Sequence, residues 1–237
     1  MEDVVHPTKI PHVTGYLHVA LMNGVSGVMV AAEMHGRLLQ SGMYRKTDRI
    51  KIAVVGDPSQ IFPLVELLSP YNKYSIELFS EDITLWEWPT LDMLKLDCDN
   101  GYDGHLWYMH TKGASQAGRQ PTPSTVHIYK NVAAWRGSMF DQMASLDRVP
   151  EGYSAAGAFL RPNHGVGRHF SGNFWWATAD HIRSIPEAST DVKKERGKAE
   201  TWIGSAPGEL YNITTGWDDT TELYGFDGTF SLGTPTV

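Results

Sequence analysis

Short apolar runs that stop abruptly at Gly, Asn or Asp, each followed by a stretch of helical period, constrain this chain more than any other feature. Tyr16 to Met22 stops at Asn23 and Gly24, as a buried strand does, and the spacing of apolar residues then changes to threes and fours. Val25, Val28, Met29, Ala32 and Leu39 form the expected helix stripe, with a stop at Ser41 and Gly42. Ile50 to Val55 is a β-branched run ended by Gly56, Asp57 and Pro58, which reads as a second buried strand. Ile61 to Leu68 fits a short helix, Ser75 to Phe79 a third strand, and Thr90 to Leu94 a helix capped by the Thr90 hydroxyl. Leu106 to Met109 is a fourth strand leading into His110, and Val126 to Leu146 a long helix with Val132, Trp135, Met139, Met143 and Leu146 on one face. Ser154 to Leu160 and Phe174 to Ala177 read as two more strands. Repeated βα units predict an α/β fold with a mostly parallel sheet and helices on both faces. Such sheets bind ligands at the carboxyl ends of their strands, which gathers Asn23, Gly56, Asp57 and His110 near one crevice.

The length of 237 residues supplies enough apolar surface for one large domain, and 41% hydrophobic with 20% charged residues is an ordinary globular balance. Lys and Arg number 20 against 27 Asp and Glu, a formal charge of -7. No overall positive field exists to hold a polyanion, so nucleic acid is not the expected partner. Cys98 is the single cysteine, which precludes an internal disulfide and fits a reducing, cytoplasmic compartment. The most apolar early stretch, Leu17 to Ala32, is interrupted by Asn23, Gly24, Ser26 and Gly27 and follows Glu2 and Asp3. Neither a secretory signal nor a spanning helix is expected from it. Asn212-Ile213-Thr214 is a sequon in spelling only.

The phosphate loop ending in Gly-Lys-Ser/Thr, G-x-G-x-x-G, H-E-x-x-H and G-x-S-x-G are all missing. His164 and His169, and likewise His105 and His110, stand five apart without the one-turn spacing of a metal pair. Asp97-Cys98-Asp99 spells a divalent-metal triplet but precedes the fourth strand, and reads as a loop turning at Asn100-Gly101. His110-Thr111-Lys112-Gly113 directly follows that strand. A lysine there offers a point charge to a diphosphate, Thr111 a hydroxyl, and Gly113 a close backbone approach; the same residues also suit an exposed turn. Trp135-Arg136 lies on the long helix, the tryptophan on the apolar stripe and the arginine about 100° around it, free to meet an anion or to form an ion pair. In His169-Phe170-Ser171-Gly172-Asn173-Phe174-Trp175-Trp176, polar residues abut successive aromatics, a combination that suits a sugar's C–H face and hydroxyls. Strand alternation puts Phe174 and Trp176 on one face and Trp175 on the other, so at least one of these rings is core. Glu200 follows the charged segment Asp191 to Lys198 and acts as a base only if the fold returns it to the crevice.

In this order the segments resemble a family of GT-A type glycosyltransferases of bacteria and large viruses, and more distantly the rhamnan-synthesis glycosyltransferases. The resemblance spans about Tyr16 to Ile203. It is carried by His18 and Asn23, Ser41-Gly42-Met43-Tyr44, Ile52 to Gly56, Glu87-Trp88-Pro89-Thr90-Leu91, Tyr108 to Gly113, Trp135-Arg136, His169 to Ala177, and Glu200-Thr201-Trp202-Ile203. It implies a single Rossmann-like, nucleotide-sugar-binding domain over 1–237. Its donor half would run over about 16–113, its acceptor half over about 126–203, and a loop-rich tail over 204–237. The implied reaction moves a sugar from a nucleoside diphosphate, such as UDP, to a glycan or other hydroxyl acceptor; a catalytically silent binding domain of the same fold is the alternative, and a nucleotidyltransferase a third. Asn23, Gly56, Asp57, Thr90, Leu91, Thr111, Gly113 and Arg136 would border the donor. Ser171, Gly172, Asn173, Trp175 and Trp176 would line the acceptor site, with Glu200 orienting or deprotonating its hydroxyl. His110 and Lys112 stand where relatives hold a divalent metal in an Asp-X-Asp motif. Lys112, helped by Arg136 or Arg168, would then take the place of Mg²⁺ or Mn²⁺ at the departing diphosphate, with Asp97, Asp99 and His110 as the ligands to inspect if an ion is needed.

Overall fold

The structure, a computed structural model, describes residues 12–22, 24, 26–115, 126–162, 165–195 and 197–214. The expectations placed on Asn23, Val25, His164 and the tail beyond 214 lie outside the described residues.

The first half is a run of βα units: β1 (Val13–Leu21), α1 (Ser26–Gln40), the short α2 (Met43–Lys46), β2 (Arg49–Gly56), α3 (Ile61–Leu68), β3 (Tyr74–Ser80), α4 (Trp88–Asp99) and β4 (His105–His110). These four strands are mutually parallel in the order β3-β2-β1-β4. After α5 (Val126–Ala144) come β5 (Ala155–Gly157), β6 (Leu160–Arg161), β7 (His169–Phe170), β8 (Trp175–Thr178), α6 (Ala179–Ser184), α7 (Thr190–Lys193), α8 (Lys198–Thr201) and β9 (Leu210–Asn212). β8 enters antiparallel between β4 and β5, and β9 pairs parallel with β5, so one mostly parallel mixed sheet reads β3-β2-β1-β4-β8-β5-β9. β6 and β7 form a separate antiparallel pair.

The sheet divides two cores. Leu17, Val19, Trp107, Met109, Phe174 and Trp176 pack with α1 and α5 residues such as Met34, Leu38, Met139 and Met143 on one face. Tyr16, Leu106, Tyr108, Trp175 and Ala177 pack with Leu91, Leu94, Ile182 and Ile203 on the other. Period-two alternation therefore sorts Phe174 and Trp176 from Trp175 as the pattern requires. Every residue of β1 except Ala20 is buried, as a parallel strand covered on both faces must be.

Several boundaries differ from the sequence reading for identifiable reasons. The buried face of α1 is Gly27, Val30, Ala31, Met34 and Leu38, while Met29 is 64% and Leu39 39% exposed. Small residues decide this: a Cβ on Gly27 would stand 2.4 Å from the Ala20 carbonyl oxygen, so the helix rests its smallest side chains on β1. α4 begins at Trp88 with Pro89 in its first turn, where proline is well placed; Thr90 is inside the helix and is not its cap. Asp97, Cys98 and Asp99 form the last turn of α4 and not a loop. The Ser154 to Leu160 run breaks into β5 and β6 at Phe159, whose φ of 57° turns the chain while Thr214 Oγ1 accepts its N–H at 2.9 Å. Of the tail, Leu210–Asn212 is an edge strand and not a loop. No described helix is long and apolar enough to cross a membrane.

Candidate functional site

β1 and β4 are neighbours in the sheet but come from opposite directions of winding, since β2 and β3 extend on one side of β1 while β4 opens the other. Such a switch point leaves a crevice at the carboxyl strand ends. His18 of β1 and His110 of β4 are register partners there, and a cavity of about 420 Å³ opens beside them. Its lining includes His18, Met22, Val55, Ile83, Trp86, Glu87, His110, Thr111, Lys112, Gly113, Val132, Trp135, Asn173 and Glu200. The Lys112 turn and the Asn173 segment, 61 residues apart in the chain, thus share one cavity.

Glu87 is the hub of the polar wall. Its Oε1 lies 3.1 Å from His110 Nδ1, and its Oε2 accepts from Asn173 Nδ2 at 2.6 Å and from the Tyr108 hydroxyl at 3.2 Å. The second ring nitrogen of His110, Nε2, is 3.0 Å from the Gly172 carbonyl oxygen. Two acceptors therefore flank the ring, and an imidazolium satisfies both at once. Asn173 Oδ1 accepts the Trp175 indole N–H at 2.7 Å, which fixes the amide's orientation. Glu200 Oε1 accepts the Gly172 N–H at 2.5 Å, so one residue of the Ser171–Asn173 turn, Gly172, links Glu200 to His110 through its N–H and its carbonyl oxygen. Gly172 at φ 91° and Asn173 at φ 60° make that turn left-handed, a conformation asparagine tolerates better than most residues. Burial of the Tyr108 hydroxyl, with the Glu87 and Glu200 carboxylates nearby, holds its pKa well above the ordinary phenol value.

The turn after β4 contributes a second part of the lining. Thr111 N–H donates to the His18 carbonyl oxygen at 3.0 Å, and Thr111 Oγ1 accepts the Ala20 N–H at 2.9 Å. The Thr111 hydroxyl oxygen thus anchors the strand end as well as lining the cavity. Arg136 donates to the Lys112 carbonyl oxygen at 2.6 Å and pairs with Glu33. Lys112 Nζ stands 5.2 Å from the Trp135 ring centroid, a cation–π contact that holds the ammonium at the cavity. His18, 2% exposed, shares a hydrogen bond with Thr90 Oγ1 at 3.0 Å. Burial lowers its pKa to about 4 against the pull of Glu87, so this imidazole is neutral at pH 7.

Of the residues expected at the site, His110, Thr111, Lys112, Gly113, Asn173 and Glu200 are brought together. Others are not. Trp175 and Trp176 are 0% and 1% exposed core residues on opposite faces of the sheet, and the Ser171 hydroxyl is bound by Arg161 Nε at 3.0 Å. Gly172 acts through its backbone only. Leu91 is core, and Thr90 reaches the cavity only through His18. Gly56 exists for packing: a Cβ there would stand 2.1 Å from the Leu21 carbonyl oxygen. Asp57 is exposed and caps a short 3-10 turn by accepting the Ser59 N–H at 2.9 Å; the Ser59 hydroxyl, then that N–H and the Gln60 amide, hold its carboxyl below the usual range. Arg136 is a buried strut beneath the Lys112 turn and does not line the cavity, and the Arg168 guanidinium is taken up by the Gly204, Ala206 and Gly208 carbonyls. Asp97 binds Lys51 at 2.7 Å and Tyr16 at 2.6 Å, and Asp99 binds Lys95 at 2.7 Å, which removes both from the cavity. No three His, Cys, Asp or Glu side chains converge as metal ligands among the described residues.

Glu87, His18, Trp86 and Ile83 are site residues to which the sequence reading gave no role. A signal for Glu87 existed. Helices that follow parallel strands begin at the carboxyl edge of the sheet, and Trp88-Pro89 marks such a beginning, which puts the preceding carboxylate at the crevice. The chain matches no protein-family model, and no curated protein is significantly similar to it.

Proposed function

We propose that this chain is a GT-A-like glycosyltransferase, acting in the cytoplasm, that moves a sugar from a nucleoside diphosphate donor onto a hydroxyl of a glycan or other acceptor. The observation that carries the reading is the single cavity shared by a cationic turn (Thr111 to Gly113, with Lys112) and a carboxylate–amide wall (Glu87, Asn173 and Glu200) around His110. A cation and carboxylates lining one cavity are what transfer from a diphosphate to a hydroxyl requires. The diphosphate takes the Lys112 turn, whose ammonium counters the charge that develops as the bond breaks. The nucleoside takes the end lined by Met22, Val55 and Trp86, where an indole can stack on a base. The acceptor hydroxyl lies against Asn173 and Glu200.

In the reaction the bond from the anomeric carbon to the β-phosphate oxygen breaks, and its electron pair leaves with the nucleoside diphosphate. The acceptor oxygen forms the new bond to that carbon, and its proton passes to Glu200. Inversion at the anomeric carbon follows from one displacement with one base. His110, held between Glu87 and the Gly172 carbonyl, donates toward the leaving-group side of the cavity beside Lys112.

The test is release of nucleoside diphosphate from UDP-, dTDP- and GDP-sugars, with CMP-sugars scored by monophosphate, with and without sugar acceptors and across a titration of Mg²⁺, Mn²⁺ and chelator. Lys112→Met is expected to lower turnover by about 10²- to 10³-fold, the range for removing one charge-stabilising group. Glu200→Gln is expected to lower transfer by about 10²-fold or more. Binding of a donor with no turnover under any condition would favour a silent binding domain, and strict metal dependence would remove the role given to Lys112.

A further inference from the structure

The segment from Asp82 to Trp88 is a partition. On one side of it is the polar cavity described above; on the other lies a larger trough of about 1010 Å³. Residues along it divide between the two: Ile83 and Glu87 line the cavity, Thr84, Leu85 and Trp88 line the trough, and Trp86 borders both. Trp86 holds φ 50° and ψ −131°, a strained conformation for a non-glycine residue that persists where the surroundings enforce it. Asp82 braces the wall, accepting the Thr84 N–H and hydroxyl at 2.9 and 2.6 Å.

The trough is apolar. Leu78, Phe79, Leu85, Pro89, Met93 and Leu96 supply its surface, and Phe79 at 39%, Leu85 at 38% and Leu96 at 61% exposed leave large apolar side chains facing water. Its basic residues are matched, since Lys193 pairs with Asp92 at 2.7 Å and Lys194 with Asp191 at 2.8 Å. Nothing at the mouth therefore calls for an anion, and a contiguous apolar surface of this kind marks a binding site.

We propose that the trough holds the alkyl or isoprenoid chain of an amphiphilic acceptor whose polar head passes Trp86 to reach Asn173 and Glu200. The inference rests on the transferase reading for the head and on the trough itself for the chain. That Trp86 lines both spaces is what selects this occupant, because a molecule with an apolar tail and a hydroxylated head fills the two adjoining spaces at once.

Calorimetry with butyl, hexyl and octyl β-glucosides, kept below micelle-forming concentration, tests it without donor or turnover. Affinity for the protein is expected to rise with chain length by up to about fourfold per buried methylene, and octyl glucoside to bind more tightly than either glucose or octanol. Phe79→Asp and Leu96→Asp, both at exposed positions, are each expected to flatten the series. A wild-type series without chain-length dependence, or one that both variants leave unaltered, overturns the proposal. So does sedimentation showing a wild-type dimer that both aspartates dissociate, which would give the trough to a second copy of the chain. Chain-dependent binding without donor turnover keeps the trough as an alkyl site and retires the transferase, whereas donor turnover without chain-dependent binding does the reverse.

Discussion

Glu87 accepts hydrogen bonds or charge from His110, Asn173 and Tyr108 at once, and both of its oxygens are used in doing so. It acts on the reaction by positioning other groups. Replacing it with glutamine keeps the shape but turns one acceptor into an NH₂ donor, which then faces either the His110 ring or the Asn173 amide, both already donors. Leaving one such buried group unmatched costs about 1–3 kcal/mol. If the misplaced groups act in the transition state, that is about 10- to 100-fold in kcat. Glu87→Gln is therefore expected to lower kcat by that factor with a smaller change in KM, and Glu87→Asp to restore little, because the shorter side chain cannot span His110 and Asn173 together. Steady-state kinetics of both variants check this. An unaltered kcat with a raised KM would instead make Glu87 a ground-state binding group.

At the scale of elements, the site depends on how closely a turn approaches a helix. Gly172 carries φ 91°, and a Cβ there would stand 2.1 Å from Met139 Sδ on α5. Gly172→Ala combines left-handed strain with overpacking against a buried methionine, and is expected to destabilise the fold by about 2–4 kcal/mol, read as a lower urea midpoint with unchanged slope. Unchanged stability would mean that Met139 swings aside. Such a contact cannot be read from one chain, and that marks the boundary of what the sequence disclosed. Strands β1 to β4, helix α3 and the Phe174/Trp175/Trp176 alternation were legible because they follow local periodicity. The strand-end rule reached the Lys112 turn after β4, whereas Asn173, which precedes β8, and Glu200, on α8, were expected at the same cavity only through the family resemblance. What was not legible depends on tertiary approach: the face of α1 that its small residues select, the burial of both tryptophans of β8, and the withdrawal of Arg136 and Arg168 to backbone carbonyls. Aromatic rings beside Ser-Gly-Asn suggest a sugar platform in a linear chain, but here a strand inserted between β4 and β5 sends one indole into each core.

For the whole molecule, buried imidazoles set the response to acid. Burial lowers the pKa of His18 from 6.5 to about 4, and it lowers those of His35, His105 and His181 as well, with the adjacent Arg148 and Arg168 charges contributing at His105 and His181 respectively. In the unfolded chain these rings regain ordinary affinity for protons, so between about pH 6.5 and about pH 4 the unfolded state binds more protons than the native state. Stability is then complete above about pH 6.5 and falls as the pH drops, with no further loss from His18 below about pH 4, where both states carry the proton. From about pH 7.5 to about pH 5 the His18 contribution alone is about 2 kcal/mol. This window lies mostly above the range in which ordinary carboxylates titrate, so histidine and carboxylate effects separate. Urea unfolding at the two pH values is expected to show wild-type protein losing at least this much. His18→Gln should lose about 2 kcal/mol less, because glutamine keeps a neutral polar group beside Thr90 but takes up no proton. Equal losses in the two proteins would mean that His18 is protonated in the native state near pH 5. In that case the ring would stand as a cation near the Glu87 carboxylate, and the neutral imidazole inferred for His18 would be overturned.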